Sequence, residues 1–320
     1  MNELVIEPIV SGEDVQAASE EDLQTTPEVD PQTVPSDLKT ASEKGTSGND
    51  SQSLYEQFLD NSIPATVDSD YSEGDYAAQI IEKNTALTLT ELEDRVSKYF
   101  FDPEYTNKTS CDRIQYAYIR CPDNSDKNIK NLLIKFIGLN IYSQDDDSYA
   151  VFILTENNGQ LSITGSYQCW ARSETTAYAN GTLNSFGSNG AGDHGEGLSA
   201  ILSDGKLTSI YNAEILSGWW TSYVNESLYY ETFGENTEPN LIVSIYTIDD
   251  QKYYQYDMSY CEEGEKTICE NYIDRCRDAA AINWVSEEEI QTAIQNRCTA
   301  AGIDYSIIDT EEEALWNDLL

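Results

Sequence analysis

Positive charge is what this sequence lacks most. Lys and Arg together number 18 against 58 Asp and Glu, a formal charge of −40. So large an excess repels phosphate backbones and anionic lipid surfaces, which excludes nucleic acid and membrane-surface binding as natural functions. Histidine occurs once and methionine twice, so proton transfer near neutral pH would fall to carboxylates, tyrosines or thiols. No apolar run approaches the ~18 residues of a membrane helix. Met1–Val10 is partly apolar but has neither a basic flank nor a small-residue cleavage site, so it is not a signal peptide. Zinc-type C-x-x-C pairs, G-x-S-x-G, H-E-x-x-H, a Ser-His-Asp motif, P-loops and dinucleotide fingerprints are missing too. No cofactor, metal or catalytic residue is therefore expected, and the chain reads as something other than an enzyme.

What is present is aromatic, with 22 Tyr and 5 Trp, residues that favour strands and recognition surfaces. Their distribution divides the chain. Residues 1–50 contain no aromatic residue and are rich in Glu, Asp, Ser, Thr, Gln and Pro, too little apolar surface to offset the entropy of ordering. The segment 1–52 therefore reads as a disordered acidic leader or stalk, and 53–320 as one β-rich α+β domain, expected to be monomeric. Helices are predicted near 53–63, where Pro64 ends the apolar spacing, near 90–101 behind a Thr90/Glu93 capping box, and near 269–281. A fourth, near 286–302, follows a Ser286/Glu289 box. Between Asp112 and Met258 the apolar period changes to two. Leu132–Ile141 reads as a central strand buried on both faces. Hairpins are signalled at Glu156-Asn157-Asn158-Gly159, Asp204-Gly205 and Asp249-Asp250. These short connections predict a mostly antiparallel meander with flanking helices. The tail from Asp309 carries Leu315 and Trp316 and suggests a last short helix.

The seven cysteines leave at least one unpaired in a monomer. Cys111 and Cys121 bracket one extended strand and lie ~30 Å apart, beyond disulfide reach. Cys269 and Cys276 would share a helix, also too far apart. Cys261–Cys269 could close a loop and Cys276–Cys298 could join two helices, while a fully reduced, buried set is equally open.

Two segments stand out as candidate ligand sites. Gly187–Gly197 has five glycines in eleven residues and the sole histidine, reading as a binding loop in which Asn189, Asp193, His194 and Glu196 meet a ligand or metal, or as a flexible loop with an exposed imidazole. In the other, Trp170, Arg172 and Glu174 would share one strand face as a stacked, ion-paired platform, or simply fix a strand edge. If the chain returns through 175–187, loop and platform adjoin and form a polar-ligand pocket. Trp219 and Trp220 suggest a carbohydrate surface, but adjacent strand residues face opposite ways, so core packing accounts for at least one of them. The Asp123–Asp126 and Asp145–Asp147 clusters do not follow a calcium-loop pattern and read as solvated turns.

Read together, Leu54-Tyr-Glu-Gln-Phe58, Tyr116-Ala-Tyr-Ile119 with Cys121, Trp170-Ala-Arg-Ser-Glu174 and the Gly187–Gly197 segment resemble an uncharacterised group of exported, often lipid-anchored proteins of gut Firmicutes. The resemblance covers roughly residues 53–260. It implies an envelope location and no particular activity. Members of the group usually carry Asp-Gly-x-Pro-Glu-Leu after the cysteine; Pro122–Asn131 here does not, which removes the basis for a calcium role. An extracellular or cell-surface setting follows, with any export signal lying ahead of Met1. Three functions fit: an extracytoplasmic binding module for an unknown protein or polar ligand, an acidic inhibitor or immunity-type protein meeting a basic partner, and a carboxylate-based hydrolase.

Overall fold

A computed structural model describes residues 52–71, 80–101, 107–126, 128–140, 148–235, 237–308 and 312–319. The expected leader, up to residue 51, lies outside the described residues, as do residues 72–75 of an acidic stretch and the Asp145–Asp147 cluster. Ser51–Leu320 cluster as one compact unit. The fold is α+β: two mostly antiparallel sheets with helices against them.

The chain enters through α1 (Leu54–Leu59), whose cap is a reciprocal Ser53/Glu56 box, then β1 (Ala65–Val67) and β2 (Ala86–Leu87). Helix α2 (Leu89–Phe100) starts two residues before the sequence suggests: the box is Thr88/Glu91, not Thr90/Glu93. This start turns Leu89, Leu92, Val96 and Phe100 together into the core. Strands β3 (Arg113–Arg120), β4 (Lys130–Leu139), β5 (Ser148–Asn157) and β6 (Gln160–Cys169) then form a meander. They build the first sheet, in the order β13-β3-β4-β5-β6-β1-β2, where β13 (Asn317–Asp318) comes from the chain's end. The tail is thus an edge strand pairing Asn317 with Tyr116 rather than a helix. β4 lies inside the sheet, paired on both sides by β3 and β5, as its continuous apolar run predicts.

The second sheet, β12-β11-β10-β9-β8-β7, is antiparallel throughout. Its strands are β7 (Ser173–Ala177), β8 (Thr182–Gly190), β9 (Asp193–Ile201), β10 (Leu207–Ser217), β11 (Ile242–Ile248) and β12 (Gln251–Asp257). Between β10 and β11 the chain forms a 3-10 helix, Gly218–Tyr223, and α3 (Glu226–Phe233). Trp219 and Trp220 therefore sit on a helical turn, not on alternating sides of a strand. Helices α4 (Glu263–Ala280) and α5 (Glu287–Ala300) follow; α4 starts six residues earlier than expected because a Glu262/Glu265 box caps it.

Four cores result. α1 and α2 cover one face of the first sheet around Phe58, Leu92, Ile134 and Phe152. The other face, with Leu133 and Ile153, packs on Ala177, Leu183 and Ile201 of the second sheet. α3 and α4 cover that sheet near Leu216 and Val243, on the same side as Leu183. α5 covers the opposite side near Leu198, Ile210 and Ile248. Among the described residues no helix is long and apolar enough to cross a membrane. All seven cysteines are free thiols. Cys276 and Cys298 lie in different cores, whereas Cys261 and Cys269 sit 3.7 Å apart.

Candidate functional site

The glycine-rich segment is not a loop. It is the β8–β9 hairpin, turning at Gly190-Ala191-Gly192. Two of its glycines have a packing cause. A Cβ on Gly192 would lie 2.6 Å from Trp220 Cδ1 and 2.7 Å from the Ser217 carbonyl oxygen, and one on Gly190 would lie 3.0 Å from Trp220 Cζ2. The Trp220 indole rests on the bare backbone of the hairpin tip. Trp220, Trp219 and Tyr223 in turn meet edge to face, with centroids 5.3–5.6 Å apart.

The predicted platform is also rearranged. Between the two sheets the chain turns at Trp170–Ser173: the Ser173 amide donates to the Trp170 carbonyl at 2.7 Å, and the Trp170 amide donates to Ser173 Oγ at 3.0 Å. Strand alternation begins only at Ser173, so Trp170, Arg172 and Glu174 do not share a strand face. Among the described residues no ion pair joins Arg172 to Glu174. The Arg172 carbonyl accepts from the Ser188 amide at 2.9 Å, which places this turn beside the strand paired with His194.

Cross-strand partners point to the same side of a sheet, and residues two apart along a strand share a side. Glu174 pairs with Phe186, Phe186 with Glu196, and Ser188 with His194. Glu174 and His194 therefore stand on one side of the second sheet, with Phe186 between them. Asp193 faces the other way. It is 5% exposed, takes a 3.3 Å hydrogen bond from Asn189 Nδ2 on one oxygen, and leaves its second oxygen without a partner. The sequence-predicted residues are thus split: Glu174 and His194 on one side, Asp193 with Asn189 on the other, and Trp170 and Arg172 in the adjoining turn.

The side that carries His194 continues across the sheet. Glu196 pairs with Ala213 and Ala213 with Tyr246, while Tyr211 lies two residues along from Ala213. The small Ala213 leaves a low floor between Glu196 on one bank and the tyrosines on the other. Phe186 is 53% exposed and stacks on the His194 ring, 5.9 Å between centroids and 19° from parallel. Tyr211 and Tyr246 approach each other at 5.8 Å. Burial, and after it the Glu196 carboxylate, pushes the Tyr211 hydroxyl up to about 12 and raises that of Tyr246. Both phenols are neutral at physiological pH. The result is a patch around one carboxylate in which Phe186 stands open and the His194 ring is part-exposed, while Tyr211 and Tyr246 lean partly buried against the α5 core; no cation is paired to the carboxylate among the described residues. Aromatic faces and a carboxylate are the groups that recognise an ammonium or guanidinium.

Glu196 was a candidate from the sequence; Phe186, Tyr211 and Tyr246 were not singled out there. The spacing Phe186-x-Ser188 facing His194-x-Glu196 across a tight hairpin turn would have pointed to Phe186. The tyrosines become neighbours only through the β9–β10–β11 register, a non-local property.

Elsewhere, a polar cleft of about 510 Å³ is bordered by Tyr55, Lys130, Glu156, Asn158 and Asp204. Glu214, near Asp193, has its carboxyl raised by burial and by that neighbour, with Lys252 opposing. Comparison of the chain with known protein families, with curated proteins and with solved structures finds no match.

Proposed function

We propose that this chain is an extracytoplasmic binding module whose partner is a protein presenting a lysine- or arginine-bearing segment, received on the open patch of the second sheet. The observation that carries the reading is the Phe186–His194 stack standing half exposed beside Glu196 and two neutral tyrosines. A cationic side chain placed there would meet ring faces and a carboxylate together, and such contacts strengthen as water is displaced. The charge of −40 adds long-range attraction for a basic partner and speeds encounter. The acidic leader and the resemblance to exported, often lipid-anchored proteins support placing the domain outside the cytoplasm.

The hydrolase alternative has one point in its favour. Glu174 and Glu196 flank Phe186 two strands apart, about 10 Å between backbones, near the spacing of an inverting carboxylate pair. Against it, Glu174 is exposed on an edge strand, whereas a general acid works from an enclosed, dehydrated carboxyl.

The test is calorimetric titration of a hexa-arginine peptide at physiological salt. Phe186→Ala and Glu196→Gln should each weaken binding at least about tenfold, or ~1.4 kcal/mol. Glu263→Gln, which removes the same charge from a fully exposed helix start, should leave binding nearly unchanged. Equal losses in Glu196→Gln and Glu263→Gln would reduce the effect to general charge attraction and defeat the reading.

A further inference from the structure

A second cluster lies on the opposite side of the second sheet, at the start of α4. We propose that Cys261, Glu265 and Cys269 bind one divalent metal ion of the zinc class. The three residues are spaced four apart, and residues so spaced lie one above another on a helix. Cys261 stands just ahead of α4, with Glu265 and Cys269 on its first turns. One ligand atom from each residue lies within 4.8 Å of the other two. The thiols are 6% and 0% exposed and their sulfurs are 3.7 Å apart. Two thiolates on one tetrahedral zinc, each at about 2.3 Å, stand ~3.7 Å from each other. The cluster therefore needs little movement to close on an ion.

The supporting contacts are those of a prepared site. One Glu265 oxygen accepts the Asn240 amide at 2.7 Å; the other accepts Asn240 Nδ2 at 3.0 Å and the Glu262 amide at 3.2 Å. The carboxylate is thus oriented before any ion arrives, as ligands held by outer hydrogen bonds are. The Asn240 carbonyl, which accepts from the Cys261 thiol at 3.3 Å, or a water, is placed to complete four-fold coordination. A cleft of about 430 Å³ bordered by Glu238, Asn240 and Tyr260 adjoins the cluster through Asn240 and through Tyr260, the neighbour of Cys261. Two sulfurs select a borderline-soft ion over calcium or magnesium, which take oxygen ligands. Binding releases both thiol protons to solvent, and the ion's two positive charges offset the two thiolates so formed. Bound metal would tie the segment entering β11 to α4, across the core formed by Tyr229, Tyr272 and Val243.

The experiment uses the full chain, fully reduced, titrated with Co²⁺ and then Zn²⁺. The expected result is one equivalent of cobalt with thiolate-to-cobalt charge-transfer absorption and the visible bands of a tetrahedral site, bleached by zinc. Cys261→Ser and Cys269→Ser lose the charge-transfer signal, Cys111→Ser keeps it, and Glu265→Gln keeps it with at least tenfold weaker binding. A parallel measurement needs no variant: in the wild type, Zn²⁺ should protect Cys261 and Cys269, and not Cys111, from alkylation. Absence of the charge-transfer band from the reduced protein, its survival in both serine variants, or no protection by zinc overturns the proposal. So does an air-formed Cys261–Cys269 disulfide together with no metal binding by the reduced chain; the pair is then a cross-link.

Discussion

The two sheets share an architecture and differ in how they are covered. In the first, β4 and β5 are closed on both sides: Leu132, Leu133, Ile134 and Phe136 pair with Leu154, Ile153, Phe152 and Ala150, all buried. In the second, β8 carries Asn184, Ser185 and Phe186 in the open. Layers cover both ends of one side, and α5 covers only part of the other. A strand that must bury both faces admits little but apolar residues. A strand with an open face can carry an aromatic ring, a carboxylate and an imidazole without desolvating them. The first sheet is closed on both sides, and the second leaves one side open for the proposed binding surface.

Substitutions should break this contrast in a definite order. Phe152→Ala, at a fully buried ring that meets Phe136 edge to face at 5.8 Å, should cost ~3–5 kcal/mol in urea unfolding. Gly192→Ala should come next. Its added methyl would press on Trp220 and the Ser217 carbonyl, for ~1–3 kcal/mol, with a shift in tryptophan fluorescence. Phe186→Ala removes a ring already half in water, so its stability cost should be at most about 1 kcal/mol although the binding loss is large. A loss equal to that of Phe152→Ala would mean that the patch is core and not a surface for a partner.

The smallest effect concerns pH. The Glu214 carboxyl is raised, first by burial and then by Asp193, with Lys252 opposing. A raised acid holds its proton more tightly in the folded state, so the penalty for its charge is absent in acid and develops as pH rises through the raised value. Glu214→Gln should therefore stabilise the protein at neutral pH by less than ~1 kcal/mol, the scale of exposed charge effects. The gain should vanish below the ordinary glutamate range. A gain that persists in acid would contradict this assignment.

Local chemistry explains what could be read from the sequence. Asn158-Gly159 and Asp249-Asp250 take positive φ at their turns, a conformation those residue types tolerate, and both hairpins form where predicted. Leu132–Leu139 forms an interior strand because its run of apolar side chains cannot be satisfied at an edge. The Ser286/Glu289 box caps α5 as expected. Non-local effects hid the rest. The turn at Trp170–Ser173 interrupts the alternation that would have aligned Trp170, Arg172 and Glu174. Gly190 and Gly192 of the β8–β9 hairpin serve Trp220, about thirty residues onward, which sits on a 3-10 turn ahead of α3. Glu196 meets Tyr211 and Tyr246 through strand register alone. The Cys261–Cys269 proximity was legible because one helix start brings both residues together. The pairing of Cys276 with Cys298 would have required helices to meet that pack on opposite sides of the second sheet.

The lone histidine makes the decisive measurement clean. His194 is the only imidazole in the chain and stacks on Phe186, so its ring-proton NMR signals report from the centre of the patch. Titration with the hexa-arginine peptide should shift those signals progressively, with the same midpoint as the calorimetric curve, and the shift should be strongly reduced in Glu196→Gln at the same peptide concentration. Calorimetric binding that leaves the His194 signals unmoved would place the partner elsewhere on the molecule and contradict the assignment of the second sheet's open side as the binding surface.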